Sequence, residues 1–224
     1  MDNNMLQKLD ILIAGVGGQG VVLASDVLGD IGVALGYDVK KSDTLGMAQR
    51  GGSVVAHIRM GDRVSSPLIP KGEAGFLLSL EKLETMRWAD HIKMGAAVVY
   101  NNQEIPPLSV SRGEAVYPRD EQIILTLSQC TSDFFAIPGE KLATGLGNPK
   151  VLNILMLGAF SMFLPFSPDI WVQTITSRVP EKVAEINTEA FHVGRKEIRR
   201  QLMEIAIQDE IETIKAHKHE GDCC

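Results

Sequence analysis

Leu9-Asp-Ile-Leu-Ile-Ala-Gly-Val-Gly-Gly-Gln-Gly20 is the stretch that decides the fold. Leu9 to Ala14 is a short apolar run of the kind a buried strand needs, and Gly15, Gly17, Gly18 and Gly20 interrupt it at once. Beyond the glycines, Val21, Leu28, Ile31 and Leu35 recur at helical spacing, ending near Gly36, and a second short strand is expected over Tyr37–Lys40. Strand, glycine turn, helix and strand open a Rossmann-like, doubly wound α/β fold with a mostly parallel sheet.

Outward from that opening, Ser42–Gly52 is polar and glycine-rich and reads as a loop. Ser53–Met60 and Gly75–Leu80 read as strands, Glu81 to about His91 as a helix, and Ala96–Tyr100 as another strand. Asn101–Asp120 carries three prolines and reads as an irregular excursion. Glu121–Cys130 is expected to be a helix and Asp133–Ile137 the last strand. Asn148-Pro149, Ser167-Pro168 and Val179-Pro180 each start a helix, proline being tolerated where its missing N–H has no helical partner. These elements divide into a Rossmann-like domain over residues 1–179 and a long helical extension with a tail over 180–224.

Composition excludes several functions. Among 224 residues, 22 basic side chains face 28 acidic ones, which leaves no cationic excess for nucleic acid. Three cysteines, Cys130, Cys223 and Cys224, are too few for an iron–sulfur cluster or a Cys₄ zinc site, each of which takes about four thiolates. No disulfide framework is readable, so a cytoplasmic setting is expected. The polar N-terminus does not resemble a signal peptide, and the apolar run Val151–Phe166 is too short to span a membrane.

Two motifs bear on chemistry. Gly15, Gly17 and Gly20 satisfy G-x-G-x-x-G between a strand and a helix, where close backbone approach and unpaired N–H groups suit an anion. An NAD(P) site would also need an acid ending the second strand, and Asp38 and Asp43 are both poorly placed for it. Steric need alone also explains such glycines. Met47-Ala-Gln-Arg-Gly-Gly-Ser53 gathers an amide, a guanidinium and a hydroxyl, and Arg50 is able to grip a carboxylate or phosphate. A solvated turn is its plainer reading. His57 reads as a structural histidine, Arg195, Lys196, Arg199 and Arg200 as a solvated basic face or subunit contact, and no metal site is expected. Gly61-Asp62-Arg63 followed by Asn101-Asn102 lacks the glycine and the spacing of a thiamine site.

Gly15–Gly20 together with Met47–Ser53 running into Val-Val-Ala-His-Ile-Arg59 resembles the gamma domain of the 2-oxoacid:ferredoxin oxidoreductases, most of all its indolepyruvate type. The likeness extends through Ser66-Pro67-Leu-Ile-Pro70 and the Asn148 that precedes Leu157-Gly158-Ala159, with Ala74-Gly75 standing where the family usually has Ala-Asp. It implies oxidative decarboxylation of a 2-oxoacid, indolepyruvate or another aryl pyruvate, to an acyl-coenzyme A. It places thiamine diphosphate and the iron–sulfur clusters on a large alpha partner subunit that passes electrons to ferredoxin. This chain alone is then inactive and holds no cofactor. Gly15, Gly17, Gly18, Gln19, Gly20, Met47, Gln49, Arg50, Gly51, Gly52, Ser53 and Asn148 are its candidates for facing coenzyme A, the substrate or the partner subunit. A purely structural assembly subunit and a stand-alone NAD(P)-dependent oxidoreductase are the alternatives.

Overall fold

The computed structural model describes residues 7–45 and 51–221. One sheet contains β1 (Leu9–Val16), β2 (Asp38–Leu45), β3 (Ser53–Gly61), β4 (Ala74–Ser79), β5 (Ile92–Asn101) and β6 (Phe134–Ile137). Their order across the sheet is β2-β3-β1-β4-β5-β6. β1, β4, β5 and β6 pair in parallel, whereas β3 is antiparallel to both β1 and β2. The sheet is therefore mostly parallel, and β3 alone runs against the rest.

The helices are α1 (Val21–Ala34), α2 (Lys82–Arg87), α3 (Leu108–Ser111), α4 (Asp120–Ser128), α5 (Gly139–Gly145), α6 (Leu152–Phe160), α7 (Pro168–Arg178) and α8 (Ala184–Gly221). Along β1 the side chains alternate between two cores, as the period of a strand requires. Ile11 and Ile13 join Leu28 of α1, Leu155 of α6, Trp171 of α7 and Phe191 of α8 on one face. Leu12 and Ala14 join Leu77, Val98, and Ile123 and Leu127 of α4 on the other. β1 is buried along its whole length, as befits a central strand covered on both sides.

Several expectations need correction. The strand after α1 was expected over Tyr37–Lys40 with a loop from Ser42, but β2 continues to Leu45, pairing Ser42 with His57 and Thr44 with Val55. Its polar side chains fit an edge strand: Lys41 reaches Asp43 on its own strand and Asp26 on α1. The opening unit is also not a simple βαβ, because β3 is inserted between β1 and β2. α2 is shorter than the helix expected over Glu81–His91: Glu81 caps it, and a 3₁₀ turn, Ala89–His91, follows. α5 was not foreseen, being a short helix between Gly139 and Gly145.

α6 and α8 cross in direct contact at Gly158 and Gly194. A Cβ built on Gly158 would lie 2.0 Å from the Phe191 carbonyl oxygen, and one on Gly194 would lie 1.9 Å from that of Leu155. Backbone meets backbone there, so neither helix can admit a methyl without moving. Gly158→Ala and Gly194→Ala are each expected to cost about 1–3 kcal/mol, read as a lower midpoint in thermal unfolding. Gly29→Ala serves as the control: it sits within α1 with nothing within 4 Å of the added Cβ. That variant should be neutral or stabilising by up to about 1 kcal/mol.

Candidate functional site

The register of β1 on β3 places Val16 opposite Ser53, so the turn leaving β1 and the turn entering β3 meet at the same edge of the sheet. The Gly17 N–H donates to the Gly52 carbonyl at 2.8 Å, and the Gly51 N–H approaches the Gly17 carbonyl at 3.4 Å. Here β1 turns into α1 on one face and β4 into α2 on the other. Such a divergence of neighbouring parallel strands opens a crevice at their C-terminal ends.

Gln19 holds the crevice in shape. Its Oε1 accepts the Val16 N–H at 2.8 Å, and its Nε2 donates to the Leu80 carbonyl at 2.8 Å. Asn101 Nδ2 donates to the same carbonyl at 3.1 Å, while Asn101 Oδ1 accepts the Gly139 N–H. Two side-chain amides thus tie the ends of β1, β4 and β5 together. Gly20 is required twice over: its φ is +86°, and an added Cβ would lie 2.4 Å from Asn153 Nδ2.

What this leaves open is backbone. α1 starts at Val21 with no side-chain cap and no acidic residue in its first turn. Its first N–H groups lack intrahelical partners, and its positive end faces outward beside the glycines. Clefts lie on both sides of Gly18. One, of about 290 Å³, is walled by Val16, Val22 and Val54. The other, of about 260 Å³, is lined by Gln19, Gln103, Ile105, Pro149 and Lys150. Main-chain donors, one lysine and apolar walls can bind an anionic, partly apolar molecule. Among the described residues that line the two clefts there is no carboxylate, histidine, cysteine or hydroxyl.

Of the remaining sequence candidates, Ser53 and Asn148 adjoin the cleft-lining Val54 and Pro149. Ser53 Oγ donates to Glu84 Oε2, and Glu84 Oε1 receives Arg87 Nε at 3.0 Å. Asn148 Oδ1 accepts the Lys150 N–H at 3.1 Å, shaping the turn that leads into α6. Met47, Gln49 and Arg50 lie outside the described residues.

Sequence reasoning missed Glu81. This buried carboxylate accepts the Glu84 N–H and the Ile105 N–H at 2.9 Å each, together with the Tyr117 hydroxyl. Burial and Glu81 push the Tyr117 hydroxyl well above its usual range, keeping it a donor. Glu81 therefore straps the irregular 102–119 segment beside the second cleft. The one available signal was Glu81 standing three residues before Glu84 at a helix start.

Elsewhere, Asn101 also donates to Gln103 Oε1 at 3.1 Å, so both its amide hydrogens are used within the protein. No group of three His, Cys, Asp or Glu side chains suited to a metal occurs among the described residues. The basic face is not uniform: Arg200 is paired with Glu197 and Glu204, and Arg195 donates to Ser161 Oγ over the Phe191 ring. His57 is structural, its Nδ1 accepting the Ile69 N–H at 3.2 Å. Burial, reinforced by His91 nearby, holds His57 below its ordinary pKa.

Residues 10–197 match the pyruvate ferredoxin/flavodoxin oxidoreductase family. The indolepyruvate oxidoreductase subunit IorB of Pyrococcus horikoshii is 36% identical over 200 residues, covering 88% of this chain and 99% of the relative. Its counterpart in Archaeoglobus fulgidus is 33% identical over 84% of this chain and 94% of the relative. The 2-oxoglutarate synthase subunit KorC of Methanocaldococcus jannaschii is 26% identical over 84% and 92%. Among solved structures, the gamma subunit of a keto/oxoacid ferredoxin oxidoreductase from Geobacter sulfurreducens has the same fold, with TM-score 0.63 at 21% identity over 86% of this chain and 99% of that one. The 2-oxoglutarate:ferredoxin oxidoreductase of Magnetococcus marinus, with 2-oxoglutarate, coenzyme A and succinyl-CoA bound, gives TM-score 0.66 at 21% identity. It covers 87% of this chain and 31% of the longer one.

Two predictions follow from the geometry. Gln19→Ala removes bonds at both ends of one amide and should lower stability by about 1–3 kcal/mol, with hydrogen exchange accelerating at Val16 before the rest of β1. His57 gives a pH effect whose sign is fixed. Its folded pKa lies below the unfolded value of about 6.5, so its share of stability is present above that pH and is lost as pH falls through it. His57→Gln should flatten the acid limb of the thermal midpoint against pH; an unchanged limb would assign it to other groups.

Proposed function

The chain belongs to the pyruvate ferredoxin/flavodoxin oxidoreductase family, and from that premise we propose that it is the small subunit of a cytoplasmic 2-oxoacid:ferredoxin oxidoreductase. The IorB relatives support indolepyruvate or a similar aryl pyruvate as the substrate, with an acyl-coenzyme A as product. The carrying observation is the pair of glycine turns, hydrogen-bonded through Gly17 and Gly52, beside an uncapped helix end at the C-terminal edge of the sheet.

This chain's residues do not fit the redox groups the family implies. Its cysteines are too few for an iron–sulfur cluster, and the Gly61-Asp62-Arg63 segment lacks the glycine of a thiamine diphosphate site. Both groups are assigned to a large alpha partner subunit, which delivers electrons to ferredoxin. No step of that chemistry is derived from the residues here.

Coenzyme A is different, because the crevice offers what its phosphates need. When bound, coenzyme A supplies the thiol that takes the acyl group. The N–H groups around Gly18 and in the first turn of α1, with Lys150 and Arg50, are the residues that would hold its phosphates or the substrate carboxylate. Gln19, Ser53 and Asn148 act one step back, fixing the turns so that the donors stay aimed while the subunit covers the partner's site and excludes water.

A stand-alone NAD(P) enzyme fits less well. In a dinucleotide fold the second strand beside the glycine turn ends in the acid that meets the ribose. β3 fills that position here, and Asp43 on the displaced β2 is engaged by Lys41 and Ser25.

Arg50→Ala in the co-expressed complex is expected to lower kcat/KM for coenzyme A or the 2-oxoacid by about tenfold or more, with the subunit ratio unchanged. Unchanged kinetics would overturn the proposal. Loss of the complex, with normal turnover in whatever complex survives, would favour the purely structural subunit.

A further inference from the structure

The match to the family ends at residue 197, but α8 continues to Gly221, and this continuation carries a surface that the function above does not use. One side of α8 is anchored: Ala190, Phe191, Gly194 and Ile198 pack on the body, against α6 among others. With about 100° between successive residues, Lys196, Arg199, Met203, Ile207 and Glu210 fall on the opposite, outward side. Met203 is 60% exposed and Ile207 58% exposed. From Met203 to Glu212 every residue is exposed, so this stretch of helix has no tertiary packing to support it. A helix of that length is marginal alone in water.

We propose that this outward face is a self-association surface, on which α8 of a second copy of this chain lies antiparallel with Met203 at the two-fold axis. The argument is charge complementarity along the face. Lys196 and Arg199 lie on its N-terminal side and Glu210 on its C-terminal side, and none of the three has an ion-pair partner among the described residues. Reversing the helix about Met203 sets Lys196 opposite Glu210 of the second copy and Arg199 opposite Ile207 and near Glu210. Met203 and Ile207 then form a continuous apolar seam. Intervals of 3, 4, 4 and 3 residues along 196, 199, 203, 207 and 210 keep these side chains on one side of the helix. Each body stays on the far side of its own helix. An isologous pairing of this kind closes on itself as a dimer. It is independent of which reaction the subunit serves.

Sedimentation equilibrium of the full chain tests the pairing, with circular dichroism as the check on folding. A dimer is expected. Met203→Glu, and separately Lys196→Glu with Arg199→Glu, should weaken it at least about tenfold, and adding Glu210→Lys to the latter pair should restore it. That rescue distinguishes a lost contact from a misfolded helix. A monomer at every concentration would overturn the inference, as would a dimer indifferent to these substitutions. So would finding that they detach the large partner subunit while self-association persists.

Discussion

The antiparallel register between β1 and β3 is the constraint on which the rest of the site depends. It runs from Leu9 opposite Met60 to Val16 opposite Ser53. Sliding β3 by one residue would turn Val54, Ala56 and Ile58 out of one core and Val55 out of the other. The buried faces therefore fix the register, and the register fixes where the two glycine turns meet. The Gly17–Gly52 hydrogen bond follows from that meeting. A single bond of this type contributes only about 0.5–1.5 kcal/mol net, so the apolar register does the larger part of the positioning.

Building outward, the polar residues at this edge are used mostly on the protein itself. Gln19 and Asn101 converge on the Leu80 carbonyl, Glu81 gathers two N–H groups and a hydroxyl, and Ser53 bonds Glu84. Side chains occupied in this way cannot also perform chemistry. They make a rigid rim around main-chain donors, Lys150 and two modest clefts. Such a rim suits a subunit that positions and covers, and the chain's three cysteines are too few to ligate an iron–sulfur cluster by themselves.

Local pattern was enough for β1, the glycine turn and α1, because strand period, breakers and helix period follow one another without overlap. The buried α6 and the proline-led start of α7 were equally legible. The insertion of β3 was not, since strand order is decided by which apolar faces meet across the sheet and leaves no local signature. β2 was cut short because an edge strand may carry Lys41, Ser42 and Asp43. At the site, the glycines announced themselves, whereas the role of Gln19 did not. An amide beside a glycine turn reads as a ligand donor until its distance to Leu80 is known. Glu81 was hidden for the same reason, its partners at Ile105 and Tyr117 being distant in sequence.

The central claim is that the edge carrying Gly17–Gly20 and Gly51–Ser53 is the face turned toward the large subunit's active site. Hydrogen exchange of this chain, alone and bound to the large subunit, measures that directly. The account predicts protection concentrated at Gly17–Leu23 and Gly51–Ser53, with the opposite edge of the sheet near Lys8, Glu73 and Lys93 unchanged. Protection at that opposite edge, with the glycine turns exchanging as freely as in the isolated chain, would contradict it.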